Sequence, residues 1–282
     1  MQQGVTMQAS QPTLRRRTLM LAAAGTGFIS RSAWAEPGVS PETIVLGQSA
    51  ALSGPLGDLG KELLKGAKVY FDGLNARGGV NGRKIVLNAR DDVYDVKKTL
   101  ENVEGMIAAG DTFALFGPLG TPNNEALIPI AQKAGMPVLM PFTGAPSIRK
   151  PELKGVFNVR ASYADEAEKL IQHLTTIGFK SIAIAYQNNR FGKEVLAAAG
   201  AAQAQRQLKA GAAASIEDDA REAPGAIVKL LQGQPDALLL GLAGKPTIEA
   251  IKEVNKTRRG LQMYALSVLA TAANLQTLGR DG

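Results

Sequence analysis

The chain has 282 residues, 45% of them hydrophobic and 20% charged, with no cysteine and a single histidine. That length and balance suit one large or two smaller globular domains. They exclude a disulfide framework, a thiolate metal site and a cysteine nucleophile. The formal charge of +7 misleads, because residues 1–35 hold four arginines and no acid; without them the net charge is +3. No basic stripe interleaved with aromatics is present, so no nucleic-acid partner is expected.

The N-terminus carries Arg15-Arg16-Arg17, an apolar stretch from Leu19 to Ile29, and Ser32-Ala33-Trp34-Ala35 before Glu36. A basic region, a short apolar region and a small-x-small end form a secretory signal pattern. Arg16-Arg17-Thr18-Leu19-Met20 is also similar to a twin-arginine export motif. The apolar stretch is about half of the ~20 residues that span a bilayer. Residues 1–35 are therefore expected to be a cleaved signal, and the mature protein to be soluble and periplasmic.

From Thr43 the chain alternates strand and helix patterns. Thr43–Gly47 reads as a strand. Leu63, Leu64, Ala67, Tyr70, Phe71 and Leu74 recur at steps of three and four and share one face of a helix over 60–76. Lys84–Ala89 is the next strand, and Val96, Leu100, Val103 and Ile107 mark the next helix. Phe113–Phe116 (strand), 123–134 (helix) and 137–140 (strand) complete the first run. After extended 156–160 the grammar repeats. Helices are predicted over 167–177, 191–208, 224–231, 246–256 and 271–278, and strands over 181–186, 212–217, 236–240 and 261–266. Alternating βα units predict parallel sheets covered by helices on both faces. The expected fold is α/β with two Rossmann-like lobes, an N-terminal lobe over 36–158 and a C-terminal lobe over 159–282, joined near Asn158–Ser162. Ligands in such sheets bind beyond the carboxyl ends of strands. That rule selects the loops after Gly47, Phe116, Met140, Tyr186, Leu240 and Leu266.

Enzymatic chemistry finds little support. Any Ser/His/Asp triad would need His173, which lies on a helix beside Leu170 and Leu174, and no Gly-x-Ser-x-Gly elbow occurs. The pairs Asp91-Asp92, Asp165-Glu166 and Asp218-Asp219 lack metal-ligand spacing. Gly241–Thr247 lacks the phosphate-loop gap and has proline in place of Ser/Thr. No catalytic residue, metal or cofactor is expected.

Several loops carry recognisable runs: Ala51-Leu52-Ser53-Gly54-Pro55-Leu56-Gly57, Gly78-Gly79-Val80-Asn81-Gly82-Arg83, Phe116-Gly117-Pro118-Leu119-Gly120-Thr121-Pro122, Pro141-Phe142-Thr143-Gly144, Phe157–Tyr163 and Asn189-Arg190-Phe191-Gly192. In this order and spacing the chain resembles the type I periplasmic binding proteins of the leucine/isoleucine/valine-binding family. The resemblance implies two lobes that clamp a small amino-acid-like or carboxylate ligand for the permease of an ABC importer. A soluble sensor signalling to a membrane partner is the alternative. Independently, Gly120-Thr121 at a helix start offers free N–H groups, a hydroxyl and the positive end of the helix dipole to a carboxylate; Thr121 as a plain N-cap is the competing reading. The resemblance assigns Gly120 and Thr121 to the ligand carboxylate and Phe142 and Thr143 to a second anchoring loop. It puts Leu59 where an aromatic often covers the ligand, and Phe191 as the second lobe's aromatic. Tyr163, Leu242 and Ala243 are further candidates. Amino-acid binders of this family place an acid after a late strand; here the segment reads Ala265-Leu266-Ser267-Val268-Leu269, where Ser267 offers a hydroxyl but no charge. The resemblance also implies a further half-lobe beyond Leu278, so an incomplete, non-binding and less stable product with exposed first-lobe faces is a further alternative.

Overall fold

The structure, a computed structural model, describes Gly4 and residues 36–281. The expected export signal lies outside the described residues. Five strands form the first sheet: β1 (Thr43–Ala50), β2 (Lys84–Asp91), β3 (Ala114–Phe116), β4 (Val138–Leu139) and β5 (Val156–Phe157), in the order β2-β1-β3-β4-β5. Four form the second: β6 (Ile182–Gln187), β7 (Ala213–Ile216), β8 (Ala237–Gly241) and β9 (Gln262–Ala265), in the order β7-β6-β8-β9. Every strand pairing within these sheets is parallel. The β1–β2 register runs from Thr43 opposite Lys84 to Ala50 opposite Asp91. Both sheets therefore direct all their strand ends the same way, which gathers the functional loops at one edge of each.

The helices are α1 (Gly57–Ala76), α2 (Val96–Ala109), α3 (Thr121–Lys133), α4 (Tyr163–Thr176), α5 (Arg190–Gln205), α6 (Ala223–Gln232), α7 (Lys245–Thr257) and α8 (Ala272–Leu278). Caps explain several boundaries. Asp95 accepts from Lys98 N–H to open α2, and Ser162 and Asp165 form a capping box on α4. Asn189 accepts from Gly192 N–H to open α5. Gly110, left-handed at φ 63°, closes α2.

The main core joins α2 and α3 to one face of the first sheet and α4 and α5 to one face of the second; Val103, Met106, Leu127, Ile171, Leu174 and Val195 are its fully buried centre. Ile227, Leu230, Ala250 and Val254 from α6 and α7 cover the other face of the second sheet. The α1 side of the first sheet is thinner. Only Leu46, Ile85 and Ala114 are buried there, and Phe71 meets Phe116 edge-on at 5.1 Å. Of the predicted α1 stripe, Leu63, Leu64, Ala67, Phe71 and Leu74 are half-buried, whereas Tyr70 is 65% exposed, as is its neighbour Val69 at 67%. Val86, Phe157 and Val159 of the same sheet or its exit are exposed as well.

Candidate functional site

The carboxyl ends of the two sheets meet around a narrow cavity of about 20 Å³, room for about one water molecule. The first sheet supplies most of its polar wall. After β3, Gln48 Nε2 holds the carbonyls of Phe116 and Gly117 at 3.3 and 3.2 Å. The loop then reaches Gly120, whose φ of 100° only glycine adopts readily. A Cβ at this position would stand 2.4 Å from Cε2 of Tyr94 and 2.9 Å from Oδ1 of Asn123. With glycine as N-cap, no side chain caps α3; Pro122 has no N–H, which leaves those of Thr121 and Asn123 without a capping side chain, and Gly120 and Thr121 line the cavity.

Hydrogen bonds fix this helix start. Asn124 Nδ2 donates to the carbonyls of Pro118 and Gly120 at 2.9 and 2.7 Å. Asn123 Nδ2 donates to Thr99 Oγ1 at 2.6 Å, and Thr99 Oγ1 donates to Asp92 Oδ2 at 2.9 Å. Asp92, fully buried, also accepts from Ser49 Oγ at 2.8 Å and from Tyr94 N–H at 2.9 Å. Burial raises its pKa, against the lowering effect of these donors. Thr121 and Thr143 are buried with their hydroxyl oxygens 2.7 Å apart. Thr143 Oγ1 continues the chain to Tyr163 Oη at 3.3 Å and accepts Ala145 N–H at 3.1 Å. Phe142 pairs with the α3 loop through its N–H to Pro118 (2.8 Å) and its carbonyl from Gly120 (3.3 Å).

The passage from the first sheet to the second is pinned by arginines. Arg149 Nη2 donates to the carbonyls of Thr143, Arg160 and Ala161 at 3.3, 2.8 and 3.3 Å. The Arg160 guanidinium stands 4.5 Å from the centroid of Phe142. Arg160 also binds Ser267 and, at 3.4 Å, Glu166. Glu166 accepts Ser267 N–H and Oγ–H at 2.8 and 3.1 Å.

The second sheet closes the apolar wall. Phe191, at the start of α5, meets Tyr163 edge-on at 5.2 Å. Gln187 at the end of β6 accepts Ala243 N–H at 3.0 Å and donates to Asp218 at 2.6 Å. Gly244, at φ 62°, packs against Pro55 and Leu56 of the 3₁₀ turn before α1. Two further polar links cross between the parts. Arg190 Nε donates to both Glu125 oxygens at 2.9 and 3.1 Å, and Ala273 N–H donates to Glu62 at 3.2 Å.

Of the sequence-selected residues, Leu59, Gly120, Thr121, Phe142, Tyr163 and Phe191 line the cavity. Thr143 reaches it through Thr121. Leu242 is fully buried in the outer core of the second sheet, whereas the candidate next to it, Ala243, lines the cavity. Ser267 is held by Arg160 and Glu166, and Val268 presents the side chain. Sequence reasoning passed over Leu56, Tyr94 and Leu119. Tyr94 follows β2, a strand end omitted from the selected loops although the strand-end rule covers it. Burial, then the neighbouring Tyr163, Asp218 and Asp92, holds the Tyr94 phenol well above its ordinary pKa.

Residues 43–282 match the Periplasmic binding protein family. The chain belongs to that family. The leucine/isoleucine/valine-binding branch is the one its relatives represent. This periplasmic binding protein is 27% identical over 171 residues to Leu/Ile/Val-binding protein homolog 7 of Brucella abortus, a stretch that covers 57% of this chain and 43% of that one. It is similar to the crystal structure of a substrate-binding periplasmic protein from Ralstonia solanacearum, with 34% identity, a TM-score of 0.76, and coverage of 83% of this chain and 67% of that one. A structure described as a possible leucine/isoleucine/valine-binding protein from Rhodopirellula baltica SH 1 gives 27% identity, a TM-score of 0.80, and coverage of 88% and 67%. The chain thus aligns with less than half of the curated relative's length and about two thirds of these two structures. The family is one of solute binders rather than enzymes.

Proposed function

We propose that this chain is the extracytoplasmic solute-binding component of an ABC importer, and that it closes two lobes, 36–158 and 159–282, around a small carboxylate ligand. The carrying observation is the cavity, where the uncapped start of α3 and the Thr121–Thr143 hydroxyls face an aromatic and aliphatic wall from the second sheet. Backbone N–H groups and the dipole at such a terminus favour an anion. The open form would bind the carboxylate on the first lobe. Rotation about Asn158–Ser162 would then bring Phe191, Ala243 and Val268 over the rest of the ligand. A ligand drives that closure only by its extra affinity for the closed form. The permease would read the closed form, and the Arg15–Ala35 pattern would deliver the protein to the periplasm, by the twin-arginine or the general secretory route.

The test is titration calorimetry of the full chain with benzoate and with L-leucine, on wild type and Thr121→Ala. At least one probe should bind wild type, and the variant should bind it about tenfold or more weakly, as expected for a lost hydrogen bond to a charged group. Far-UV circular dichroism should be unchanged. Equal affinities would remove Thr121 from the site.

A further inference from the structure

We infer that the ligand is an apolar monocarboxylate with no α-ammonium group, so that this receptor prefers an acid to the amino acid of the same skeleton. This rests on the receptor reading above and narrows its ligand class. No aspartate or glutamate is among the eleven residues that line the cavity. Opposite the α3 start, the loop after β9 turns in the isopropyl group of Val268. An ammonium carries three donors and a full charge, and burying it unpaired is strongly unfavourable.

Three carboxylates close to the lining residues in the chain or through hydrogen bonds are already engaged. Asp92 takes Ser49, Thr99 and the Tyr94 N–H. Asp218 takes the side-chain amides of Gln187 at 2.6 Å and Asn189 at 2.9 Å, and lines an adjoining space of about 140 Å³ that shares Leu56, Tyr94 and Ala243 with the cavity. Glu166 takes both donors of Ser267 as well as Arg160. The Arg160 guanidinium stands over Phe142 at 4.5 Å and is itself paired with Glu166, so this wall presents no free anion to an ammonium. The hydroxyls of Thr121 and Tyr163 remain, and both are neutral. The cavity therefore has one anion-binding end and an apolar remainder.

Calorimetry of the full wild-type chain with matched pairs tests this. The pairs are 4-methylpentanoate against L-leucine, and 3-phenylpropanoate against L-phenylalanine. The acid should bind roughly 100-fold or more tightly in at least one pair, since a site rejects strongly a group that it leaves buried and unpaired. An amino acid that binds as tightly as its acid overturns the inference and leaves the receptor reading standing. No binding by any of the four or by benzoate overturns both. Val268→Glu supplies the missing acid. It should raise the L-leucine to 4-methylpentanoate affinity ratio at least about tenfold, as expected for a desolvated ion pair; an unchanged ratio in a variant with native circular dichroism would count against the inference. Should that variant not fold, the wild-type pairs alone decide.

Discussion

Replacing Asp92 by asparagine keeps size and shape but reverses the polarity of one atom, and the surrounding network makes that reversal costly. Asn102 Nδ2 donates to Ser49 Oγ at 3.1 Å and Asn123 Nδ2 to Thr99 Oγ1 at 2.6 Å. Each hydroxyl accepts one proton and passes its own to Asp92 Oδ2. An amide oxygen at this position could still accept Tyr94 N–H. The amide nitrogen would donate into two oxygens that already accept. Thr99 can turn its proton to the Asp95 carbonyl at 3.1 Å, but Ser49 has only Asp92 as its acceptor among the described residues. One buried hydroxyl left unpaired costs about 1–3 kcal/mol. Relief of the buried charge returns part of that, because burial is the largest influence on this carboxyl. We expect Asp92→Asn to lose about 1–2 kcal/mol in urea unfolding at pH 7. The sign of the pH dependence follows from the raised native pKa. The native state binds the proton more readily than the unfolded chain, so wild type gains stability as pH falls through the native pKa toward 3.8. Asparagine does not titrate, and the gap between the two proteins should widen from pH 7 to about pH 4. A variant as stable as wild type at pH 7, or a gap that narrows on acidification, would refute the reasoning.

Two other substitutions probe the contacts between the parts. Gly244→Ala would place a Cβ 2.5 Å from the Pro55 carbonyl oxygen and 2.6 Å from Leu56 Cδ2, at a positive φ. It should cost about 1–3 kcal/mol and lower the midpoint of a thermal melt; an unchanged midpoint would show that the two loops do not meet as described. Arg190→Ala removes the link to Glu125, whose side chains are 52% and 28% exposed. That exposure limits the effect to about 1 kcal/mol, up to roughly fivefold in ligand affinity, and the loss should shrink from low salt to 1 M. An affinity loss that is the same at both salt levels would assign it to something other than the ion pair.

The alternation of strand and helix was legible because short apolar runs bounded by turn residues stand apart from apolar residues spaced at three and four. The buried β8 run lies close to where the pattern puts it, whereas α4 begins at Tyr163, a turn before the predicted 167, because the Ser162–Asp165 capping box starts it earlier. The short strands were less so: only Val138–Leu139 pair in β4, since Pro137 precedes them and Met140 turns to φ 53°. The cavity was legible where a strand end met a helix start, as at Gly120-Thr121. It was not legible where a side chain's direction decides. Leu242 and Ala243 are adjacent at the end of β8 and point to opposite sides, one into the outer core and one to the cavity. Ser267 and Val268 divide in the same way. Tyr70 illustrates a third limit. Helical spacing puts it on the apolar stripe, yet it is 65% exposed while the adjacent Phe71 packs against the sheet.

The two sides of the cavity differ in how firmly they are held, and on the receptor reading that difference divides the work of binding. The polar side is tied together before any ligand arrives. Asp92, Thr99 and Asn123 fix the start of α3, and Thr121, Thr143 and Tyr163 form one hydroxyl chain. Such a preorganised end pays little ordering entropy when it takes a carboxylate. The other side depends on approach, because Phe191, Ala243 and Val268 come from the second sheet. Micromolar affinity requires about −8.2 kcal/mol, while a dipole contributes at most ~2 and each hydrogen bond to a charged group ~1.5–3. Apolar enclosure at ~25 cal/mol per Å² has to supply much of the rest. The carboxylate would then set where a ligand sits, and its apolar body would set how strongly it draws the second lobe closed. Lengthening the apolar body within one series of acids should therefore change the closed population more than it changes the contacts at Thr121.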